Sequence, residues 1–338
     1  MAIFDPVDDW FSSAFSKKSK PSKKSRRASA SGGGGVKFSK YAKEKNIISV
    51  IRRAPEVMVK ITGNSTGLKT LKNHLDYISR NGQLELTTEN GESLQGKGAI
   101  KDLRDQFKAA QIPNESQRRE FLHVMFSMPA GTPKNELRES VLQFCAEEFS
   151  TRHYVAALHD DKDHTHVHVC VSTRAIDFPE APRLNPRKAD LFRWRQGFAD
   201  KLRENGIEAA ASKRSHRFNY RKPENFVSRQ ILTHNKALGE NQTPRKSTIF
   251  EAQKKQLLHS LQAGKRPINP LENEIKISQK NTYQKWNKVL DNLNQAGKEE
   301  LANSLADLIK NGKNIPKSFL QELYDRAEHK IKEQEQSL

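Results

Sequence analysis

The chain has 338 residues, of which 59 are lysine or arginine and 40 aspartate or glutamate, giving a formal charge of +19, and only 35% are hydrophobic. An ordinary globular chain is about 45–50% apolar with glycine counted, against about 40% here once the 17 glycines are added, so parts of this one bury too little surface to offset their own ordering entropy. No run approaches the roughly 18 apolar residues of a membrane span, and the amino terminus lacks the apolar core of a signal peptide, so a cytosolic protein without membrane insertion is expected. The basic balance points to a polyanionic partner, nucleic acid first.

Residues 1–54 read as a disordered basic arm. A short aromatic segment, Phe4 to Phe15, leads into Lys17–Arg27, where seven of eleven residues are basic, and then into the small residues Ser29–Gly35. Such a tract either adds affinity for phosphates or is a solvated tail, and its aromatic segment either docks on a partner or has no role. Residues 55–223 change character. Strand-like runs at Val57–Ile61, Leu122–Met128, Tyr154–Leu158 and Val167–Val171 alternate with helical patterns. The last two runs are joined by a short polar turn and must pair antiparallel, so the order predicts an α+β domain with a largely antiparallel central sheet and flanking helices.

Within that domain Leu68, Leu71, Leu75 and Ile78 form one stripe of a helix that Gly82 would stop, and Tyr77 falls about 140° from the stripe's centre, among Asn73, His74 and Arg80. Tyr77 is therefore a surface tyrosine, and Arg80 beside it is expected to meet DNA. Cys145 and Cys170 are too few for a disulfide framework and sit in patterns that suit small core residues.

Four of the chain's eleven histidines fall between positions 159 and 168. Side chains alternate across a strand, so His166 and His168 point to one face while Val167, Val169 and Val171 point to the other. A hairpin of this length returns His159 beside the pair. Three converging imidazoles with carboxylates nearby form a metal site with positions left for substrate oxygens or water. The alternative is an exposed histidine-rich turn. Imidazole suits zinc, manganese or nickel better than magnesium, and spacing alone does not choose among them.

Downstream, Leu191, Trp194, Phe198 and Leu202 face the core from a helix carrying Arg187, Lys188, Arg193 and Arg195. Lys213, Arg214, Arg217, Arg221 and Lys222, interleaved with Phe218 and Tyr220, then fit either a cationic groove with aromatic platforms for a single strand or a basic solvated surface. Residues 224–281 read as a helical linker region and 282–338 as a small helical module. Thr248 with Glu251 resembles a capping box, Gly264, Gly297 and Gly312 are stops, and apolar stripes run through Trp286–Leu293, Leu301–Leu308 and Leu320–Ile331.

Three stretches, NHLDYISRNG at 73–82, LHVMFSMPAG at 122–131 and HDDKDHTHVH at 159–168, resemble the successive motifs of conjugative DNA relaxases. These are tyrosine nucleases of the histidine-hydrophobic-histidine superfamily, and the resemblance is to the P class of mobilisation relaxases, which includes the nuclease that nicks T-DNA borders. It covers roughly residues 55–222. It implies that Tyr77 is the nucleophile, that His159, His166 and His168 hold a divalent ion, Mg2+ or Mn2+, and that Ser127 contacts DNA near the cut, the alternative for Ser127 being a strand-end turn before Pro129. Asp161 matches a recurrent acidic position that would orient a histidine, and His164 occupies the position of a possible base.

A phenol, with an ordinary pKa of about 10, needs a base or an activated phosphorus to attack a phosphodiester. The resemblance implies transesterification at an origin of transfer, leaving a 5′-phosphotyrosine and a free 3′-hydroxyl and running backwards to reseal the strand. It also implies single-stranded or melted DNA as substrate, an accessory DNA-binding protein and a type IV coupling protein as partners, and passage from a bacterial cytoplasm through a secretion channel with the strand. The helical module would serve those contacts or be a stabilising appendage. The alternatives are a rolling-circle replication initiator or transposase with the same site, a non-catalytic DNA-binding protein, and a metallohydrolase.

Overall fold

The structure is a computed structural model that describes residues 3–11, 39–160, 164–176, 181–220, 230–231, 233–234, 248–312 and 317–336. Strands β1 (Met58–Ser65), β2 (Leu86–Thr88), β3 (Ser93–Leu94), β4 (Phe121–Ser127), β5 (Tyr154–His159) and β6 (His166–Ser172) form one sheet. Their order is β1-β4-β6-β5-β2-β3 and every pair is antiparallel. The fold is thus α+β with an antiparallel sheet, as the run order predicts. Strands β2 and β3 were not expected; both are short, and Thr87 and Thr88 give no apolar alternation although all of β2 is buried.

The sheet is covered on both faces, which is why its inner strands are buried almost end to end. Leu122, Val124 and Phe126 of β4 and Val167, Val169 and Val171 of β6 share one core cluster with residues of α5 (Lys134–Glu148) and α6 (Lys188–Glu204). Phe121 and Cys170 look the other way, toward α3 (Leu68–Ile78) and α4 (Gly96–Ala109). The α3 stripe, Leu68, Leu71, Leu75 and Ile78, is exposed by no more than 2%, and each such side chain contributes about 1.5–3 kcal/mol by leaving water. Arg80 and Asn81 follow the helix in left-handed conformation, with Gly82 at φ +90. A Cβ at Gly82 would stand 2.8 Å from the Gly96 carbonyl carbon, so only glycine fits this turn.

Two stretches assigned by composition to the arm fold with the domain. The turn Asp5–Val7 and helix α1 (Asp8–Phe11) bury Val7 and Phe11 completely, and Gln196 Nε2 donates to the Phe11 carbonyl at 3.0 Å. Residues 4–11 of the aromatic segment therefore pack on their own chain, and Phe15 lies outside the described residues. Helix α2 (Lys40–Ile51) starts where the Ser39 hydroxyl accepts the Ala42 N–H at 3.1 Å, and it buries Ile47, Val50 and Ile51. Asn46 brackets the Ala211 peptide, donating to its oxygen at 2.9 Å and accepting from its nitrogen at 2.8 Å. The basic run Lys17–Arg27 lies outside the described residues.

The chain divides into two compact units, Met1–Ser212 with Asn292–Ser304, and Lys213–Asp291 with Leu305–Leu338. The division after Ser212 precedes the expected boundary at 223. In the second unit α7 (Thr248–Gln262) packs against α10 (Phe319–Gln336). Helix α8 (Glu272–Gln295) crosses position 281 without a break, so the expected linker and module are continuous there, and α9 (Glu299–Asn311) ends at Gly312. Trp286 is fully buried and donates from Nε1 to the His216 carbonyl at 2.8 Å. Of the apolar stripes, Leu293, Leu305 and Leu308 are buried, whereas Ile331 at the end of the third is 44% exposed; Val289 and Tyr324 are buried besides. No helix among the described residues is long and apolar enough to cross a membrane.

Candidate active site

Strands β5 and β6 bring the histidines together by register. His159 pairs with His166, and Ala157 with His168, across the hairpin. Ring centroids lie 5.2 Å apart for His159–His166, 4.6 Å for His159–His168 and 4.9 Å for His166–His168. One ring nitrogen from each falls within 4.8 Å of the others. The His159 Nε2–H donates to the Ile78 carbonyl at 2.7 Å, which fixes its tautomer and leaves Nδ1 as the ligating atom. The His166 Nδ1–H donates to the His164 carbonyl at 3.0 Å and leaves Nε2 free to ligate.

Both ring nitrogens of His168 are buried and have no hydrogen-bond partner among the described residues. An orphaned buried polar group costs about 1–3 kcal/mol, and a cation among three lone pairs would relieve it. Burial first, then His159, His166, His74 and Arg80, pushes the His168 pKa down to about 3, so the imidazole is neutral as a ligand must be. The residues fit a divalent ion.

Tyr77, on the last turn of α3, is 49% exposed. Its ring centroid is 5.7 Å from that of His168 and 6.1 Å from that of His159. The helix stripe that buries Leu75 and Ile78 turns the intervening side of α3 toward the histidines. Arg80 bridges the two groups: its guanidinium lies 5.3 Å from the Tyr77 ring centroid and donates at 3.4 Å to His159 Nδ1, the lone pair an ion would take, so an ion would displace this contact. Ser127 ends β4 directly opposite His166, and its hydroxyl donates toward the Thr165 carbonyl at 3.4 Å. His164 is exposed, and its contact with the triad is the backbone carbonyl. Asp161 lies outside the described residues; its neighbour Asp160 pairs with Lys134 at 2.6 Å.

Sequence reasoning missed a second histidine pair. His123 of β4 faces the same side of the sheet and meets His74 of α3 face to face, with centroids 3.3 Å apart and planes 2° from parallel. Burial first, then neighbouring imidazoles, lowers His74 to about 3 and His123 to about 4, so both are neutral and stack without repulsion. The donor atoms of His74, His123 and Cys170 also lie within 4.8 Å of one another. Parallel stacked rings share no in-plane point, however, and imidazole lone pairs lie in the ring plane, so this arrangement is a stack and not a chelate. The period-two alternation of β4 could have placed His123 on the histidine face.

The predicted DNA-contacting residues separate. Lys213, Arg214, Arg217 and Tyr220 belong to the second unit, on and after the turn Arg214–Arg217. Phe218 is only 7% exposed and packs on Tyr283 with centroids 5.0 Å apart, and the Tyr220 hydroxyl donates to Thr282 at 3.5 Å. Phe218 is a core side chain, not a platform for bases. Arg221 and Lys222 lie outside the described residues. On α6, Arg193 is paired with Glu148 and Arg195 with Glu56, so these two cations hold the fold together. Leu191 is half-buried and Trp194, Phe198 and Leu202 are buried, as their spacing predicts.

Comparison with known proteins agrees with this geometry. The family described as "Relaxase: MobA/VirD2-like, nuclease domain" matches residues 77–207, a span that opens at Tyr77 and includes the histidine triad. The T-DNA border endonuclease VirD2 of Rhizobium radiobacter is 31% identical over 138 residues, 36% of this chain and 32% of the relative. VirD2 of Rhizobium rhizogenes is 26% identical over 188 residues, 50% of this chain and 43% of the relative. VirD2 of Agrobacterium fabrum is 27% identical over 206 residues, 52% of this chain and 46% of the relative. The chain thus spans less than half the length of each of these curated relatives. The segment that carries the tyrosine and the histidine triad is thus similar to the nuclease domain of the MobA/VirD2-like relaxases.

Proposed function

We propose that this protein nicks and rejoins one strand of DNA at an origin of transfer by transesterification. The observation that carries the reading is the exposed Tyr77 ring standing 5.7 Å, centroid to centroid, from a buried histidine of a three-imidazole cluster. A nucleophile and a cation site on one patch can act on the same phosphate. The relatives named as T-DNA border endonucleases support cutting at a defined DNA site.

In the proposed reaction the Tyr77 oxygen attacks phosphorus and gives up its proton, and the bond from phosphorus to the 3′ oxygen breaks. The 3′ oxygen takes up a proton and leaves as a hydroxyl, while the 5′ phosphate stays on the tyrosine. One phosphoester replaces another, so the step is nearly balanced in free energy and reverses without ATP. A divalent ion held by His159, His166 and His168, manganese or magnesium, would neutralise non-bridging oxygens and make phosphorus more electrophilic. Arg80 would hold a phosphate oxygen beside the ring, and Ser127 would touch the strand next to His166. His164 and Asp161 are proposed for proton transfer and for orienting a histidine.

A base-paired duplex hides an in-line approach to one phosphate, so the substrate is single-stranded or melted, held by Lys213, Arg214, Arg217 and Tyr220 among other groups. On this reading the protein acts in a bacterial cytoplasm with an accessory DNA-binding protein. It then meets a type IV coupling protein and accompanies the strand through the channel.

The test is incubation of the full chain with a labelled single-stranded origin oligonucleotide and Mn2+ or Mg2+, followed by denaturing electrophoresis. A shifted covalent band is expected, absent in Tyr77→Phe and after chelation. Cutting that survives Tyr77→Phe would make the protein a metallohydrolase.

A further inference from the structure

Tyr77 is tethered through its own helix. His74 precedes it by three residues and so lies on the same side of α3. The His74 and Tyr77 rings are 6.3 Å apart at 25°, and His74 stands edge-on to His168 at 6.4 Å. The far side of His74 is covered by His123, stacked at 3.3 Å. Four rings thus form a continuous series from His123 of β4 through α3 to His168 of the triad on β6.

His123 is itself fixed from the sheet. Its Nε2 is hydrogen-bonded to the Ser65 hydroxyl at 2.8 Å, and Ser65 is 1% exposed. The register of β1 against β4 shifts between Ile61 and Gly63, and the bulge sets Gly63 opposite His123. A Cβ at Gly63 would lie 3.2 Å from His123 Nδ1, tighter than ordinary contact, so the glycine makes room for the ring. Bulge, glycine and buried serine all converge on one largely buried imidazole, 8% exposed.

We propose that His123 is a positioning residue for the nucleophile: its ring, clamped by Ser65 and Gly63, is the platform on which His74 rests, and it sets where α3 holds Tyr77 over the metal triad. The inference rests on the nicking function proposed above. Misplacing a reacting group by about 1 Å costs roughly 100-fold in rate, whereas strand affinity, dominated by phosphate contacts, does not depend on that placement.

The test compares wild type, His123→Ala, His123→Phe and His123→Asn in the full chain. Single-turnover formation of the covalent band gives the rate, oligonucleotide titration the affinity, and Mn2+ titration the metal binding. With His123→Ala the rate should fall by about 10- to 100-fold while both affinities stay within about twofold. His123→Phe, which keeps a flat ring, should recover most of the rate, and His123→Asn, which keeps only a hydrogen-bonding group, should not. An unchanged rate in His123→Ala, a parallel loss of both affinities, or rescue by Asn instead of Phe would overturn the inference. A 19F resonance from 3-fluorotyrosine at position 77 reports the ring's setting without any chemistry. It should shift or broaden in His123→Ala and return in His123→Phe, and an unmoved resonance counts against the platform. A wild type that forms no adduct refutes the nicking function alone and leaves the fluorine comparison to decide the positioning role.

Discussion

His166 is the half-buried member of the triad, and its Nδ1–H is satisfied by the His164 carbonyl at 3.0 Å. Removing its side chain therefore takes away a ligand without opening the core. His166→Ala should lower metal affinity and adduct rate by at least about tenfold, since even groups that only support ligands cost about 10–100-fold. DNA affinity should hold, because lysine and arginine contacts dominate it. Isothermal titration with Mn2+ and with oligonucleotide separates the two, and a matching loss of DNA affinity would mean His166 contacts the strand. At this scale the sequence was most legible where one periodicity decides direction. The alternation of His166 and His168 with valines placed the pair correctly, and the stripe of α3 placed Tyr77 outside the core. His123 escaped notice because its meaning depends on two facts no single segment carries, the bulge in β1 and the approach of α3. The pairing of Arg193 with Glu148 and of Arg195 with Glu56 was not legible, because charge along one helix does not reveal its partners.

Elements hold the site through a few buried ions as well as through apolar packing. Glu120, immediately before β4, has a fully buried carboxylate that accepts from Arg174 at 2.7 Å and Arg183 at 3.0 Å. Burial by itself would raise its pKa, but the hydrogen bonds from Arg174, Arg183 and Ser116 outweigh this and hold it below the ordinary carboxylate value. A depressed folded pKa stabilises above the unfolded value, near 4.3 for glutamate, and that contribution disappears as pH falls through the folded value. Glu120→Gln should thus destabilise by about 1.5–3 kcal/mol at neutral pH, measured by urea unfolding, and the gap to wild type should close below about pH 4. A gap independent of pH would assign the loss to packing. The four longer strands were legible as apolar runs. The short strands β2 and β3 were not, since two or three residues carry no period. Helix α2 was hidden by the neighbouring basic tract, and its anchorage through Asn46 to Ala211 is a long-range contact that composition does not encode.

Across the whole molecule the excess of 19 positive charges sets the binding term. Affinity for a single-stranded oligonucleotide should fall linearly with salt on logarithmic axes, with a slope of about −0.7 per neutralised phosphate. Fluorescence anisotropy between low and physiological salt measures it, and a slope near zero would remove the electrostatic account of strand holding. The division after Ser212 was not legible because Phe218, which packs on Tyr283 in the second unit, stands inside a basic segment that reads as surface. The most direct measurement is tandem mass spectrometry of the covalent product after nuclease trimming. A nucleotide carried through its 5′ phosphate on the peptide containing Tyr77 is the expected result. The same nucleotide on another side chain, or a cut strand with a free 5′ phosphate and no modified peptide, would contradict the account.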